Sequence, residues 1–453
     1  MSRALQPAPV ARASFPPRAN NDVKVLIDGE EAFGRIYGLI DEARTSVWIT
    51  VSFAHLDVPL PGRSETFLDV ITRTTARGVD VRLLFWWSEY AGIGSYRGDP
   101  DELALLRKSG CSAKMRWDEV PHGCHHQKSY VIDGSVAFVG GINITHDALS
   151  SHSHASDGFH DLFAELRGPV VADVAHNFAE RWNQATITRS RGLAFPSLEQ
   201  ADDVVAELEI PPAAGRSTVQ LVRTVCKRLY RGQVGWDDTQ RFDLADGEDS
   251  IRRAVLGAVE AAERSIYIEN QFLMDPATID ALALAARRGV EVIAIVPLQP
   301  DPNLLLYPEE KMQQTRAALA RLAENGCGLF GLVHEADPAR SIYVHAKLLI
   351  ADDRVLELGS ANFWPPSYSR DSELNVTVWD TDVAKSARLR LWREHLLDVQ
   401  ASSVNDWRRL AAQAENDRSH GRRPSTRLVE IDPRGYYTFS ENVVAPWQAL
   451  RDG

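Results

Sequence analysis

The chain repeats one segment of its sequence at a fixed distance, and this repeat constrains its fold more than any other feature. Residues 126–143 read HQKSYVIDGSVAFVGGIN, and residues 345–362 read HAKLLIADDRVLELGSAN. Five residues recur with the same offset of 219 positions: His126 as His345, Lys128 as Lys347, Asp133 as Asp352, Gly140 as Gly359, and Asn143 as Asn362. A register kept over a repeat of this length indicates two copies of one fold rather than a solenoid of short units.

Helical and strand-like segments alternate inside each copy. Apolar periodicity in the first copy predicts helices at 30–43 and 65–77 and strands at 46–53 and 79–86. The second copy predicts the same order, with helices at 249–263 and 278–288 and strands at 265–270 and 290–296. This alternation predicts an α/β fold with two duplicated α/β/α lobes, each a mostly parallel mixed sheet flanked by helices.

The repeat also divides the chain into parts. We expect a disordered lead at 1–21, a first lobe at 22–189, a connector at 190–216, a second lobe at 217–398 and a C-terminal extension at 399–453. The lead has Arg and Pro where a signal peptide would place its apolar core. No apolar run reaches the length of about 18 residues that a membrane helix needs. We therefore expect a cytoplasmic or peripheral membrane protein, with export by a signal-independent route left open.

The charge balance argues against nucleic acid as the partner. Lys and Arg number 50 and Asp and Glu number 62, which gives a net charge of −12. Proteins that bind nucleic acid usually carry a basic balance, because phosphate contacts dominate their affinity. A local basic cleft remains compatible with this acidic total.

Each copy contributes a His and a Lys two positions apart on a predicted strand, where they share one face, and an Asn further on. Two ammoniums and two amides suit a phosphate diester and the extra charge of its transition state. One imidazole can attack phosphorus while the other protonates the leaving oxygen. Because the lysines supply positive charge, we expect no metal and no other cofactor. A hairpin kept by duplication alone would explain the glycines but not the lysines.

A second group of metal-binding residue types surrounds the first motif. His122, Cys124, His125 and His126 crowd together, and the segment 152–154 adds two histidines. Zinc is conceivable from these ligand types. Adjacent residues seldom converge on one ion, however, and His126 already has a role, so we favour the absence of a metal.

The doubled HxKxxxxD motif with its trailing GGIN and GSAN resembles the signature of the phospholipase D superfamily, over about residues 22–398. The stretches IENQF at 268–272 and RDSE at 370–373 resemble the branch that hydrolyses phosphatidyl groups. The resemblance implies a two-lobed α/β fold with one active site at the interface of the copies. It also implies a monomer, since the chain forms its own pseudo-dimer.

Site roles follow from the same resemblance. It implies that His126 is the nucleophile, that His345 is the general acid and base, and that Lys128, Lys347, Asn143 and Asn362 bind phosphate. It also places a carboxylate behind each His: Glu373 for His345, and Asp161 of the FHD at 159–161 for His126. Asp133 and Asp352 complete the candidate catalytic set, although their positions at turns favour a scaffold role.

The leading hypothesis is a phospholipase D, which hydrolyses glycerophospholipids to phosphatidic acid or transfers the phosphatidyl group to an alcohol through a phosphohistidine. The alternatives are a phosphatidyltransferase resembling cardiolipin synthase, a phosphodiesterase acting on nucleic acid and, last, a silent lipid-binding scaffold. Cardiolipin synthases usually carry N-terminal membrane helices, which are not seen here. We expect a phospholipid substrate at a membrane surface and water or an alcohol as acceptor. The candidate lipid contacts are Leu304, Leu305, Leu306, Tyr307 and Trp364.

Overall fold

The first copy folds into one sheet with helices on both faces. The computed structural model describes residues 8–87, 97–120, 123–154, 158–185, 194–204, 209–230, 233–234, 242–298, 309–337 and 339–436. The strands of the first copy are β1 (Arg18–Ile27), β2 (Ser46–Val51), β3 (Asp80–Trp86), β4 (Lys114–Asp118), β5 (Ser129–Ile132), β6 (Val136–Gly140), β7 (Leu162–Arg167) and β8 (Ala194–Phe195). Its helices are α1 (Asp28–Glu42), α2 (Phe67–Ala76), α3 (Pro100–Ser109) and α4 (Val170–Ala185).

The second copy repeats this plan. Its strands are β9 (Ser217–Val225), β10 (Gln233–Val234), β11 (Phe242–Asp243), β12 (Glu248–Asp249), β13 (Ser265–Asn270), β14 (Glu291–Ile295), β15 (Gly328–Val333), β16 (Ser341–Ile342), β17 (Lys347–Ala351), β18 (Val355–Gly359) and β19 (Glu373–Trp379). Its helices are α5 (Ser250–Ala261), α6 (Pro276–Arg287), α7 (Glu309–Glu324), α8 (Pro365–Ser369) and α9 (Thr381–Leu396). After them come α10 (Val404–Ser419) and β20 (Leu428–Glu430).

Strand order is the same in the two lobes. The first sheet runs β4-β3-β2-β5-β6-β7-β1, and the second runs β15-β14-β13-β17-β18-β19-β9. The duplicated α/β fold predicted from the sequence is confirmed. Parallel pairing is confined to three strands of each sheet, fewer than expected, because the motif strands return as hairpins and pair antiparallel with their neighbours.

The two sheets share a core. Apolar side chains of β5, β6 and β7 pack against those of β17, β18 and β19, and Val139, Leu166, Leu358 and Leu374 are all buried there. β1 also joins the lobes through hydrogen bonds, because it pairs with β7 on one side and with β9 on the other. The interface of the copies is therefore a continuous hydrophobic core.

The start of the described chain is more ordered than the sequence indicates. Phe15 is 1% exposed and belongs to the shared core. Ser14 donates a backbone hydrogen bond to Glu248 of the second lobe at 3.1 Å, and Arg18 pairs with Asp173 at 2.9 Å. The expected disordered lead at 1–21 is therefore wrong for residues 8–21, because a buried ring and two polar contacts hold this segment against both lobes.

The C-terminal extension packs on the second lobe. Trp407 of α10 is fully buried against Phe330 and Trp392, and β20 adds an antiparallel strand to β15. The extension therefore contributes one helix, α10 (Val404–Ser419), and one strand to the second lobe. Among the described residues, no helix has both the length and the apolar character needed to cross a membrane.

Candidate active site

Both motif histidines lie where the lobes meet. The residue before each of them, His125 or Val344, forms a β-bridge with a residue of the other copy, Ser372 or His160. The backbone N–H of His126 donates to the carbonyl of Ser372 at 2.8 Å, and that of His345 donates to the carbonyl of His160 at 2.8 Å. The backbone of each copy therefore places its histidine against the other copy.

These bridges reverse the carboxylate pairing expected from the sequence. Nδ1 of His126 lies 3.0 and 2.9 Å from the two carboxylate oxygens of Glu373, in the second copy. Nδ1 of His345 lies 2.5 Å from Oδ2 of Asp161, in the first copy. The expected pairs, Glu373 with His345 and Asp161 with His126, are wrong, because each carboxylate directly follows the residue that bridges to the opposite motif.

The carboxylates fix the orientation of both rings. An ionised carboxylate only accepts hydrogen bonds, so each Nδ1 carries the proton and each Nε2 is left for chemistry. Burial, together with the charges of Lys128 and Lys347, lowers the pKa of His126. Burial and the same two lysines hold the pKa of His345 well below its usual value. A neutral imidazole is the form that attacks phosphorus. An anionic phosphodiester would offset the lysines and favour a proton on the other ring.

The two carboxylates have different surroundings. Burial raises the pKa of Asp161 to about 6. Burial also raises the pKa of Glu373, but the charge and hydrogen bond of His126, the charge of Lys128 and the hydroxyl of Ser360 outweigh it and lower that pKa overall. The hydroxyls of Ser360 and Ser367 donate to Glu373 at 2.5 and 2.7 Å.

The lysines are held by equivalent residues that the sequence analysis missed. Nζ of Lys128 donates to Oγ of Ser52 at 2.9 Å and to the carbonyl of His126 at 2.7 Å. Nζ of Lys347 donates to Oε1 of Gln271 at 3.0 Å and also contacts the carbonyl of His345. Ser52 and Gln271 are separated by the same 219 positions as the motifs, so the repeat offset was a usable signal. Burial lowers the pKa of Lys128 to about 8, which leaves most of it protonated at neutral pH.

Both motif asparagines are buried. Oδ1 of Asn143 accepts a hydrogen bond from the backbone N–H of Phe53 at 3.2 Å. The amide nitrogen of Asn143, which is a donor, therefore points away from Phe53. Asn362 is 3% exposed and lies in the equivalent place of the second copy. The structure thus brings together the two histidines, the two lysines and the two carboxylates, whose charges act on one another.

Asp133 and Asp352 are not part of this group. They follow β5 and β17, one strand length away from the histidines. Asp133 accepts backbone N–H groups of residues 44–46 at 2.8–3.1 Å, and Asp352 accepts those of residues 263–265 at 2.7–2.9 Å. The prediction that both belong to the catalytic set is therefore wrong. Each aspartate instead stabilises the turn that precedes the adjacent parallel strand.

The adjacent histidines of the first motif, His125 and His126, form hydrogen bonds with different partners. His125 lies between Oγ1 of Thr50 at 2.7 Å and Oδ2 of Asp118 at 2.8 Å, whereas His126 faces Glu373. Adjacent residues at the end of a strand point to opposite sides, and this separates them. His122 lies outside the described residues.

One of the lipid-contact candidates is described. Trp364 is half-buried, stacks on Phe272 at 5.0 Å and donates from Nε1 to Oγ of Ser367 at 2.8 Å. Ser367 in turn donates to Glu373, so Trp364 is linked to the site by hydrogen bonds. The other candidates, residues 304–307, lie outside the described residues.

Comparisons with known proteins agree with this geometry. Residues 36–182 and 255–393 match the family described as "Cardiolipin synthase, PLD-like domain", and residues 147–280 match the family described as "Phospholipase D". The chain is 26% identical over 406 residues to "Cardiolipin synthase A" of Pseudomonas putida strain F1, covering 87% of this chain and 73% of the relative. The relative of the same name from Pseudomonas entomophila strain L48 gives the same identity and coverage.

A solved structure supports the fold. The phosphatidylserine synthase of Haemophilus influenzae Rd KW20 superposes with a TM-score of 0.60 at 14% identity, covering 97% of this chain and 95% of that one. The duplicated fold and the paired His–Lys motifs at the lobe boundary, together with the matched family models, define the class of enzyme. The chain belongs to the phospholipase D superfamily.

Proposed function

We propose that the chain is a phosphatidyltransferase that joins two phospholipids, as a cardiolipin synthase does. The similarity to enzymes of that name over 87% of the chain carries this proposal. Phospholipid hydrolysis is the leading hypothesis from the sequence. The proposal replaces it with the first alternative, a phosphatidyltransferase resembling cardiolipin synthase. Both reactions break a phosphodiester and differ only in the acceptor, so the motifs could not separate them.

The site geometry supports two successive displacements. In the first, Nε2 of His126 bonds to phosphorus of phosphatidylglycerol, and the bond from phosphorus to the glycerol headgroup breaks. His345 gives its proton to the departing glycerol. In the second, His345 takes the proton from the primary hydroxyl of another phosphatidylglycerol, whose oxygen displaces His126 from phosphorus. The products are cardiolipin and glycerol, and both imidazoles return to their starting protonation.

The lysines and asparagines support the same reaction. The ammoniums of Lys128 and Lys347 come from opposite copies, and both of them lower the pKa of each motif histidine. Such donors stabilise the additional negative charge that develops on phosphorus oxygens during displacement. We further propose that the substrate is reached at a membrane surface, with Trp364 at the contact.

The reaction is tested with purified protein and phosphatidylglycerol vesicles. Mass spectrometry should find cardiolipin, and free glycerol should rise in equal amount. The variants His126→Ala and His345→Ala should each abolish both products while retaining the circular dichroism of the wild type. Phosphatidic acid without cardiolipin at every lipid concentration would show hydrolysis instead. Cleavage of single-stranded DNA, assayed in parallel, would favour a nuclease.

The covalent intermediate gives an independent test. Acid- or base-quenched enzyme, digested and mapped by mass spectrometry, should carry the phosphatidyl group on the peptide that contains His126. The variant His126→Ala should carry no phosphatidyl group. A label found on His345 would exchange the roles of the two histidines, and no label on either would contradict a covalent mechanism.

A further inference from the structure

A second histidine–carboxylate cluster lies behind the active site and is not used by the reaction. Its members are Asp28, His154, His160 and Glu394, and each is at most 1% exposed. Asp28 begins α1, His154 and His160 precede β7, and Glu394 lies on α9 of the second lobe. The cluster therefore joins both lobes. Of the histidines that the sequence suggests for a zinc site, His154 alone belongs to it.

The four side chains present converging ligand atoms. Nε2 of His154 lies 2.7 Å from Oε1 of Glu394 and 3.5 Å from Oδ2 of Asp28. Nδ1 of His160 lies 2.9 Å from Oδ1 of Asp28 and 3.3 Å from Oε1 of Glu394. All four ligand atoms are within 4.8 Å of one another. A tetrahedral zinc ion with bonds of about 2.0–2.2 Å places its ligand atoms roughly 3.3–3.5 Å apart. The separations of 3.3 and 3.5 Å match this spacing, and the hydrogen-bonded pairs at 2.7 and 2.9 Å would move apart by roughly 0.5 Å when the ion replaces the shared proton.

The other ring nitrogens have the partners that metal-bound histidines need. Nε2 of His160 lies 2.8 Å from Oε2 of Glu269, itself fully buried. Nδ1 of His154 lies 2.9 Å from Oγ of Ser150. A histidine that binds a metal usually donates its second N–H to a carboxylate or another oxygen, which leaves the first nitrogen as a lone-pair donor. Both rings satisfy this condition.

An unsatisfied oxygen points to a missing cation. Oδ2 of Asp28 is buried and accepts no hydrogen bond from any described residue. Three buried carboxylates, Asp28, Glu269 and Glu394, also concentrate negative charge around the imidazoles of His154 and His160. Buried charges are stable in proteins when they are paired or bind metals. A divalent cation at the centre would satisfy the oxygen and offset the charge.

We propose that Asp28, His154, His160 and Glu394 bind one structural zinc ion. Two imidazoles and two carboxylates supply four ligands of the types that zinc binds. The ion would not take part in the displacement reaction. Its position is nevertheless significant, because Asp161, which holds His345, directly follows His160. A surface pocket of about 440 Å³ lies nearby, lined in part by Ile27 and Glu31, close in sequence to Asp28, and by His152, which contacts Glu394.

The test measures metal content of the full chain, purified without a polyhistidine tag and dialysed against metal-free buffer. Elemental mass spectrometry should find about one zinc per chain in the wild type. His154→Ala and Asp28→Asn should lose it. His152→Ala is the matched control, because His152 also contacts Glu394, at 2.9 Å, but its side chain is 67% exposed and lies outside the ligand set. It should retain zinc.

A measurement on the wild type alone covers the case in which a variant fails to fold. Removal of zinc with a strong chelator should lower the Tm by several degrees, and added Zn²⁺ should restore it. Co²⁺ in place of zinc should give the intense visible absorption of a tetrahedral site. Three results would each overturn the proposal: no metal in the purified protein and no uptake of added Zn²⁺, zinc retained by His154→Ala, or zinc lost equally from His152→Ala. The first would identify the cluster as a hydrogen-bonded network that holds protons instead of a metal.

Discussion

Gly141 and Ser360 occupy equivalent positions in the two copies, yet they meet the neighbouring carboxylate differently. Ser360 donates its hydroxyl to Glu373 at 2.5 Å, whereas a Cβ at Gly141 would lie 2.2 Å from Oδ1 of Asp161. Asp161 is therefore packed against a bare backbone, and the first copy has no room for the serine of the second. This close approach explains why the motifs read GGIN and GSAN.

We predict that Gly141→Ala displaces Asp161 and thereby misplaces His345. A shift of about 1 Å in a catalytic group can cost 10²-fold in rate, and we expect a loss of kcat of roughly that size. Turnover of phosphatidylglycerol measures it, with the Tm as a check on folding. Gly34→Ala is the matched control, since nothing lies within 4 Å of a Cβ there, and it should keep full activity. Full activity in Gly141→Ala would contradict a positioning role for Asp161.

The crossed pairing of histidines and carboxylates predicts distinct proton signals. A ring N–H that donates to a buried carboxylate gives a low-field proton resonance, and the substitution His126→Ala identifies which signal belongs to His126. Glu373→Gln should remove that signal and leave the one from His345, while Asp161→Asn should do the reverse. Each substitution should also slow turnover by about 10²–10⁴-fold. Loss of the His345 signal in Glu373→Gln would restore the pairing that the sequence suggested.

Among the elements, the hairpin of β18 and β19 carries a buried acid outside the site. Glu357 is paired in register with Thr377 and is 1% exposed, and its Oε2 has no hydrogen-bond partner among the described residues. Burial raises the pKa of Glu357 to about 8. The folded chain therefore keeps this carboxyl protonated at neutral pH, which the unfolded chain, with a glutamate pKa of about 4.3, does not.

This difference predicts a pH-dependent stability. A raised pKa in the folded state gives stability that is complete below about pH 4.3 and is lost as the pH rises toward 8. Glu357→Gln keeps the shape but does not titrate. Its free energy of unfolding should exceed that of the wild type by an amount that grows by roughly 1 kcal/mol per pH unit between pH 5 and 8. Urea unfolding measures it, and the exposed Glu291→Gln is the control. A constant difference across this range would mean that Glu357 is ionised in the folded protein.

The sequence predicts those helices and strands whose position depends on the local pattern of apolar residues and glycines. The helix predicted at 65–77 is found at Phe67–Ala76 and the strand predicted at 265–270 at Ser265–Asn270, since apolar periodicity and glycine stops are local signals. The partner of each motif histidine was not predictable. Glu373 lies 28 positions after His345 but forms a hydrogen bond with His126. The β-bridges between the lobes determine this pairing, and sequence spacing does not reveal such bridges.

At the scale of the whole molecule, the copies are joined more closely than two linked domains. Core residues from β5, β6 and β7 and from β17, β18 and β19 form one cluster, β1 pairs with both sheets, and each half of the active site is completed by the other lobe. A lobe on its own would expose the shared core and would hold neither histidine–carboxylate pair. The structure therefore joins the two copies through one core and places both motif histidines at their boundary.

We therefore predict that both lobes unfold together. Leu358 lies in the shared core, and Leu358→Ala should lower the free energy of unfolding by about 2–5 kcal/mol. Hydrogen exchange read by mass spectrometry should show faster opening in β3 of the first lobe as well as in β14 of the second, because the loss is transmitted through the common core. Leu282 belongs to a separate core cluster of the second lobe. If the chain is one cooperative unit, Leu282→Ala should also speed hydrogen exchange in both β3 and β14. Faster exchange confined to the second lobe in both variants would mean that the lobes unfold separately and that the shared core contributes little to their cooperation.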